Sequence, residues 1–331
     1  MCQLRALSYT ALRSEGREAL RQARYSPRKL VLIHTGVTVA VSLILHVLTY
    51  LLDLGIAQTG GISGIENRVM LETVQSVLSV VSMVLLPFWE IGYLFAALRL
   101  ARRQDAMPGS LLAGFRHWGV VLRGFLLKGL LMFAVLFVGS QIFFSLYMVT
   151  PWGTPLREMT MELSEAGADT ATLMQNEEYM QLMMASIPFI LGGALLLLLP
   201  VAYVLRFTDY VLMDRPELGA TFALFSSFHL TRRNFVDLLK MDLHFWWYYL
   251  LEVLTVALSW APLALELLGV ELGADGNIIT LVCYAVSLAA QMGLYAWAKN
   301  GVFATYVLAY DRIQPLSDAA EETEYEKEAA E

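Results

Sequence analysis

Six long apolar runs dominate this chain, at about 31–52, 75–98, 124–148, 183–205, 245–268 and 279–298. A helix needs roughly 20 mostly apolar residues to cross about 30 Å of hydrocarbon. Inside lipid every backbone N–H and C=O must find a partner within the chain, which leaves helices as the solution for runs of this length. The expected fold class is therefore all-α: a polytopic membrane protein of six transmembrane helices with short cytoplasmic interfacial helices. The sixth run either ends near Trp297 or continues through "VFATYVLAY" to Tyr310. The first run has no small-residue cleavage site behind it and reads as an uncleaved anchor.

Composition agrees with the runs. The 331 residues are 57% hydrophobic and only 16% charged, with mean hydropathy +0.56; soluble domains average about 25% charged. Charge is segregated along the chain. Residues 1–30 hold seven bases and two acids, and 311–331 hold eight acids and two bases. With the N-terminus inside, 21 of the 23 Lys and Arg fall on the cytoplasmic side, leaving only Arg68 and Arg157 outside. Basic loops resist translocation, so both termini are expected to be cytoplasmic in a bacterial cytoplasmic membrane. The organisation that follows is a basic arm (1–30), a six-span membrane domain (31–310) and an acidic tail (311–331).

The arm, "RSEGREALRQARYSPRK", reads as a basic helix ending before Pro27. It suits the anionic lipids of an inner leaflet, at about 1 kcal/mol per base near the surface. The lipid bilayer is thus the expected partner; a nucleic-acid partner is not, and no protein partner is legible. Cys2 and Cys283 share no metal or redox spacing.

A weak parallel repeat marks the cytoplasmic ends. "RQDAMPGSLLAGFRHWGVVLRGFLLKG" follows the second run, and "LMDRPELGATFALFSSFHLTRRNFVDLLKMD" follows the fourth. Each has an Asp, a Pro within three residues, a short Phe-bearing helix and a Leu-Leu-Lys before the next run. "YDRIQPLSDA" after the sixth run is a fragment of the same pattern.

Within the second copy, Asp214, Pro216 and Glu217 read as a capping box opening a helix that ends on Arg232 and Arg233. Leu218, Phe222, Phe225 and Phe228 share one face, and Gly219, Ala223, Ser226 and Ser227 the other. Such a helix is expected to lie in the inner interface, paired with the one after Pro108.

These segments carry a resemblance. "YVLRFTDYVLMDRPELGA", "SSFHLTRRNF" and "LLKMDLHFWWYYLLEVLT", with "GFRHWGVVLRGFL" and "NGVFATYVLAYDR", resemble a bacterial family of multipass membrane proteins catalogued as domain of unknown function 975. The likeness spans most of residues 15–312. It implies a multipass fold and no particular activity.

Charged side chains inside spans are expensive and mark candidate sites. Glu90 and Glu252 lie in the second and fifth runs, each roughly 13 Å from the cytoplasmic end of its run at about 1.5 Å per residue. Lys128 lies shallower, and Lys299 reaches the same level if the sixth helix continues. A buried cluster is expected in which the two carboxylates share Lys299 or Lys128. It serves either as glue between helices or as a transport pathway. His46, Gln141 and Gln291 are further intramembrane polar groups, best read as interhelical hydrogen bonders.

Trp246 and Trp247 open the fifth run as interfacial anchors, with Arg232 and Arg233 nearby. Pro87, Pro200 and Pro262 are expected to kink their spans. Seven methionines between Met148 and Met184 could suggest copper, but packing is the simpler use of flexible thioethers. No His-x-x-x-His, Gly-x-Ser-x-Gly or phosphate loop occurs, so no metal, cofactor or catalytic residue is expected. The resulting expectation is a non-enzymatic scaffold, accessory or lipid-organising membrane protein. The alternative is a transporter or channel component built on Glu90 and Glu252.

Overall fold

The computed structural model describes residues 8–58, 65–165, 167, 176–267 and 276–328, and among them it is all-α. An amphipathic helix α1 (Tyr9–Gln22) precedes the first long apolar helix, α2 (Pro27–Gln58). Next comes α3 (Ile65–Ala101), then a 3-10 turn Pro108–Leu112 and α4 (Ala113–Arg116). The hairpin of α5 (Trp118–Val149) and α7 (Glu177–Val204) flanks the short α6 (Thr154–Glu165). Small residues let this pair close up: a Cβ on Gly139 would lie 3.2 Å from the Ala194 backbone.

The chain then runs through α8 (Thr208–Asp214), a 3-10 turn Pro216–Leu218, α9 (Gly219–Arg233) and α10 (Phe235–His244). It continues with α11 (Trp246–Ser259) and α12 (Ala261–Leu267). The last helix begins as α13 (Gly276–Leu294), passes through one π-helical turn, Tyr295–Lys299, and runs on as α14 (Asn300–Glu328).

Five helical stretches are long and apolar enough to cross a membrane: Pro27–Thr49, Val69–Ala101, Trp118–Val149, Glu177–Asp214 and Ile279–Gln314. The protein is thus an all-α polytopic membrane protein. The sixth span expected, 245–268, is not among them. That helix breaks at Trp260, two residues before Pro262, into α11 and α12; its last residue, 268, lies outside the described residues. Pro has no N–H to donate and clashes with the carbonyl four residues earlier, so the first piece stops and a new one starts. The last helix, by contrast, continues well past Trp297, through Tyr310.

Burial is uneven along the helices. Val77, Val80, Met83, Leu130, Leu196, Leu199 and Val253 are all exposed, as lipid-facing positions are. One set of helix ends instead forms a packed base in which Leu12, Leu98, Phe207, Leu212, Leu230, Leu238 and Tyr310 are fully or nearly fully buried. Two glycines make the base possible. A Cβ on Gly92 would stand 1.8 Å from the Leu111 carbonyl oxygen, and one on Gly114 would stand 2.1 Å from that of Phe88. The segment after Pro108 therefore folds back along α3, backbone against backbone, at the level of Glu90.

The capping box expected at Asp214 does not form. Asp214 is the last residue of α8, and α9 starts only at Gly219, whose φ of 83° suits a residue without Cβ. Long-range pairing has taken the carboxylate elsewhere, as described below. On α9 the small face (Ala220, Ala223, Ser227) is buried, while Phe225 and Phe228 point outward.

Candidate functional site: an intramembrane polar cavity

The π turn sets the site. Packing one extra residue into a helical turn is rare and recurs at functional positions. Here it carries Tyr295 and Lys299 to the inner face. Lys299 is almost fully buried; its Nζ donates to Glu90 Oε1 at 2.8 Å. The ammonium also lies 4.6 Å from the centre of the Tyr93 ring, 4.5 Å from Tyr295 and 5.5 Å from Phe303. Carboxylate and ring faces together replace the water a buried ammonium has lost. His34 closes the other side of Glu90, with Nε2 at 3.2 Å from Oε2, and stacks on Trp89. Trp89 in turn donates from Nε1 to the His34 carbonyl at 3.0 Å.

Glu252 belongs to the same cavity but not to the same ion pair. Its Oε1 accepts from the Tyr295 hydroxyl at 2.8 Å, and that hydroxyl accepts from Gln291 Nε2 at 3.1 Å. Tyr295 thus shows its face to Lys299 and its hydroxyl to Glu252. Lys128 is a correction. It lies outside the cluster, where its Nζ donates to Asp209 Oδ2 at 2.8 Å. Depth along a helix leaves azimuth open, and Lys128 points toward α8 rather than toward Glu90.

Arg206 forms the end of the cavity nearest the packed base. It sits where the helix breaks between Val204 and Thr208. Without its usual helical donor, the Val204 carbonyl accepts from Ser227 Oγ at 2.8 Å and Thr231 Oγ1 at 3.2 Å. Ser227 Oγ also accepts from the Phe207 N–H at 3.0 Å. The break frees Arg206 to make a two-pronged pair with Asp242, at 2.6 and 2.9 Å. Tyr306 donates to the same carboxylate, and its hydroxyl lies 2.6 Å from that of Tyr249.

Between these groups lies a cavity of about 480 Å3, bounded by α2, α3, the 206–210 break, α11 and the last helix. Glu90 keeps 49% of its side-chain surface accessible because it lines this space, whereas its partner Lys299 keeps 4%. Two further groups line the cavity with polar atoms that have no hydrogen-bond partner. These are Nδ1 of His34, whose Nε2 faces Glu90, and the hydroxyl of Thr35, in side chains almost wholly buried. Buried polar atoms without partners are uncommon.

Below the cavity, Arg102 ties the ends of α3 and α8 to the middle of α14. NH2 donates to Asp311 Oδ1 at 2.6 Å, Nε reaches the same carboxylate, and NH1 donates to Asp214. Tyr310 donates to the other Asp214 oxygen at 3.2 Å. These hydrogen bonds, first to Asp311 and then to Asp214, raise the Arg102 pKa above its ordinary value. Asp214 and Asp311 are the equivalent aspartates of the sequence repeat. The first copy's Asp105 meets Arg24 at 3.6 Å on the surface instead.

The remaining sequence candidates scatter. Trp246 is exposed, while Trp247 packs on Trp297 with ring centres 5.1 Å apart. Arg232 and Arg233 are exposed, with Arg232 over the Phe228 ring at 5.9 Å. Gln141 lies on an exposed face of α5. The His46 side chain and Met174 are outside the described residues. Among the described residues no three His, Cys, Asp or Glu side chains converge as a metal ligand set.

Sequence reasoning missed His34, Arg206, Asp242 and Arg102. His34 was readable as a polar group four residues into the first run. Arg206 was absorbed into the basic-inside count, which hides any base near a span end. Comparison with family models, with curated proteins and with solved structures finds no match for this chain.

Proposed function

We propose that this is a non-enzymatic multipass protein of the bacterial cytoplasmic membrane, both termini inside, that holds a solute in its polar cavity as a transporter or channel component. The observation that carries this reading is a cavity of about 480 Å3 bearing buried, unpartnered His34 and Thr35 atoms. Ligand sites of small molecules span roughly 300–1,000 Å3 and combine apolar walls with a few convergent polar groups. A purely structural glue between helices leaves neither a space of that size nor free buried donors and acceptors.

Tryptophans support the level, and the segregation of Lys and Arg supports the orientation. Trp89 adjoins Glu90, Trp297 lies two residues before Lys299, and Trp247 touches Trp297. Aromatic belts mark membrane–water interfaces. In this reading the Glu90–Lys299 pair sits near the inner headgroups, and the helix ends below it stand in the cytoplasm. Membership of the family named above belongs to the same proposal.

The test is flux and retained solute together. Native mass spectrometry of the purified protein is expected to find a non-lipid solute or a polar-headed amphiphile at one per chain. Glu90→Gln and Glu252→Gln are expected to fold and lose solute flux in vesicles. Protein that carries nothing and moves nothing, with both variants failing to accumulate, would return the cluster to a packing role.

A second reading, lipid organisation, is favoured by one feature. Arg13, Arg17 and Arg21 fall along one side of α1 at intervals of four. With Arg28, Trp247 and Trp297 they line a groove of about 710 Å3. None of the four guanidiniums has an ion-pair partner among the described residues. Anionic phospholipid headgroups suit such a groove.

A further inference from the structure

We infer that the cavity binds an organic ammonium group against the Glu252 carboxylate. This rests on reading the cavity as a solute site and adds the chemical class of what occupies it.

Charge is the first argument. Two of the cavity's ions are neutralised by named partners: Glu90 by Lys299 at 2.8 Å, and Arg206 by Asp242 at 2.6 Å. Glu252 has no cation among the described residues, only the Tyr295 hydroxyl. The lining therefore carries one uncompensated carboxylate in a region walled by apolar helices, where an unpaired charge is expensive. A cationic occupant removes that penalty.

The second argument is the wall around Glu252. Tyr248 and Tyr249 sit one helical turn before it on α11, and both line the cavity, as does Tyr295. The protein itself shows what this combination holds. Lys299 carries an ammonium that rests on one carboxylate and on the faces of Tyr93, Tyr295 and Phe303. Glu252 with its tyrosines repeats the carboxylate and the rings but has no ammonium of its own. Tyr295 is common to both halves. Small metal ions demand a shell of oxygens, whereas ring faces favour large, weakly hydrated organic cations. The unpartnered His34 and Thr35 atoms supply hydrogen bonds to a polar remainder of the ligand.

An ammonium group of this kind occurs on soluble amines and on the headgroups of ethanolamine and choline lipids. The recognition chemistry is shared, and the experiment separates the sources. Full-length protein in nanodiscs of phosphatidylglycerol is titrated with choline and with its neutral carbon isostere, 3,3-dimethylbutan-1-ol, followed by calorimetry. Choline is expected to bind saturably and at least roughly tenfold more tightly than the isostere, the size of a desolvated cation–π and carboxylate contribution.

Glu252→Gln is expected to abolish that preference, and Tyr295→Phe, which keeps the ring, to retain most of it. In discs made with phosphatidylethanolamine, loss of choline binding by competition identifies a lipid headgroup as the source; unchanged binding identifies a soluble amine. Equal binding of choline and isostere, or native mass spectrometry that retains an anionic or neutral solute, overturns the ammonium assignment and leaves the cavity reading intact. Binding of no solute of any charge removes both.

Discussion

Arg102 and Asp311 lie 209 positions apart in the chain, yet their side chains meet at 2.6 Å beneath the membrane domain. Asp214 shares the same guanidinium, so one arginine ties three spans together at one end. Replacing it strands two half-buried carboxylates side by side. Arg102→Leu is expected to lower stability by about 2–3 kcal/mol, below the range for a fully buried pair because all three groups keep some solvent contact. A thermal melt in detergent measures it. Arg102→Lys should recover part, since Lys offers charge without the planar fork.

The pH dependence of that contribution has a definite sign. Hydrogen bonding to Asp311 and Asp214 raises the Arg102 pKa. A base with a raised folded pKa stabilises fully below its unfolded pKa, and the benefit fades only as pH climbs through the folded one. Both lie well above the pH range in which the protein can be studied. The melting difference between wild type and Arg102→Leu should hold constant from roughly pH 7 to pH 10. A difference that collapses across this window would contradict the assignment.

Lys299 and Glu90 should behave as a coupled pair. Lys299→Met leaves Glu90 facing the cavity without its cation, and Glu90→Gln leaves a nearly buried ammonium resting on ring faces alone. Each single change is expected to destabilise. The double variant should recover part of the loss, with a coupling energy of about 1–2 kcal/mol in a double-mutant cycle. Strict additivity would show that the pair does not interact in solution.

Two glycines offer a sharp contrast. Gly92→Ala drives a methyl group to within 1.8 Å of the Leu111 carbonyl oxygen, so α3 and the turn after Pro108 must separate. Overpacking of this kind costs about 1–3 kcal/mol, and backbone against backbone belongs at the upper end. Gly129→Ala, in α5 with open space around it, should be neutral or stabilising by about 0.5–1 kcal/mol. Equal melting temperatures for the two variants would deny the close approach.

The arginine groove can be tested apart from the cavity. Arg13→Gln, Arg17→Gln and Arg21→Gln combined should weaken retention of phosphatidylglycerol or cardiolipin by roughly tenfold or more, without altering choline binding. Native mass spectrometry with added lipid reads both at once.

What was legible in the sequence depended on the range of the physics involved. Helix length in lipid is a local property, so all six apolar runs could be read directly, and Trp260–Pro262 gave a local reason for one to break. Glu90 and Lys299 stood out because a charge in hydrocarbon is costly wherever it points. Lys128 was assigned wrongly because spacing fixes depth but not direction. Asp214 obeyed every local rule for a helix cap and still went to Arg102, because a distant guanidinium offers a charged carboxylate more than a neutral N–H does. The repeat held a clue that local reading did not use: its second and third aspartates converge on Arg102, the residue just before its first copy.

The packed base also fixes where the molecule has freedom to move. Three spans are joined near one end by one guanidinium and the α3 backbone is clamped at Gly92, whereas the opposite ends of the same spans present exposed valines, leucines and methionines to lipid. A tripod joined at its foot can spread only at the top. Rearrangements that resize the chamber around Glu252 should therefore pivot about the level of Lys299, with the greatest travel at the far ends of the helices and almost none in the packed base.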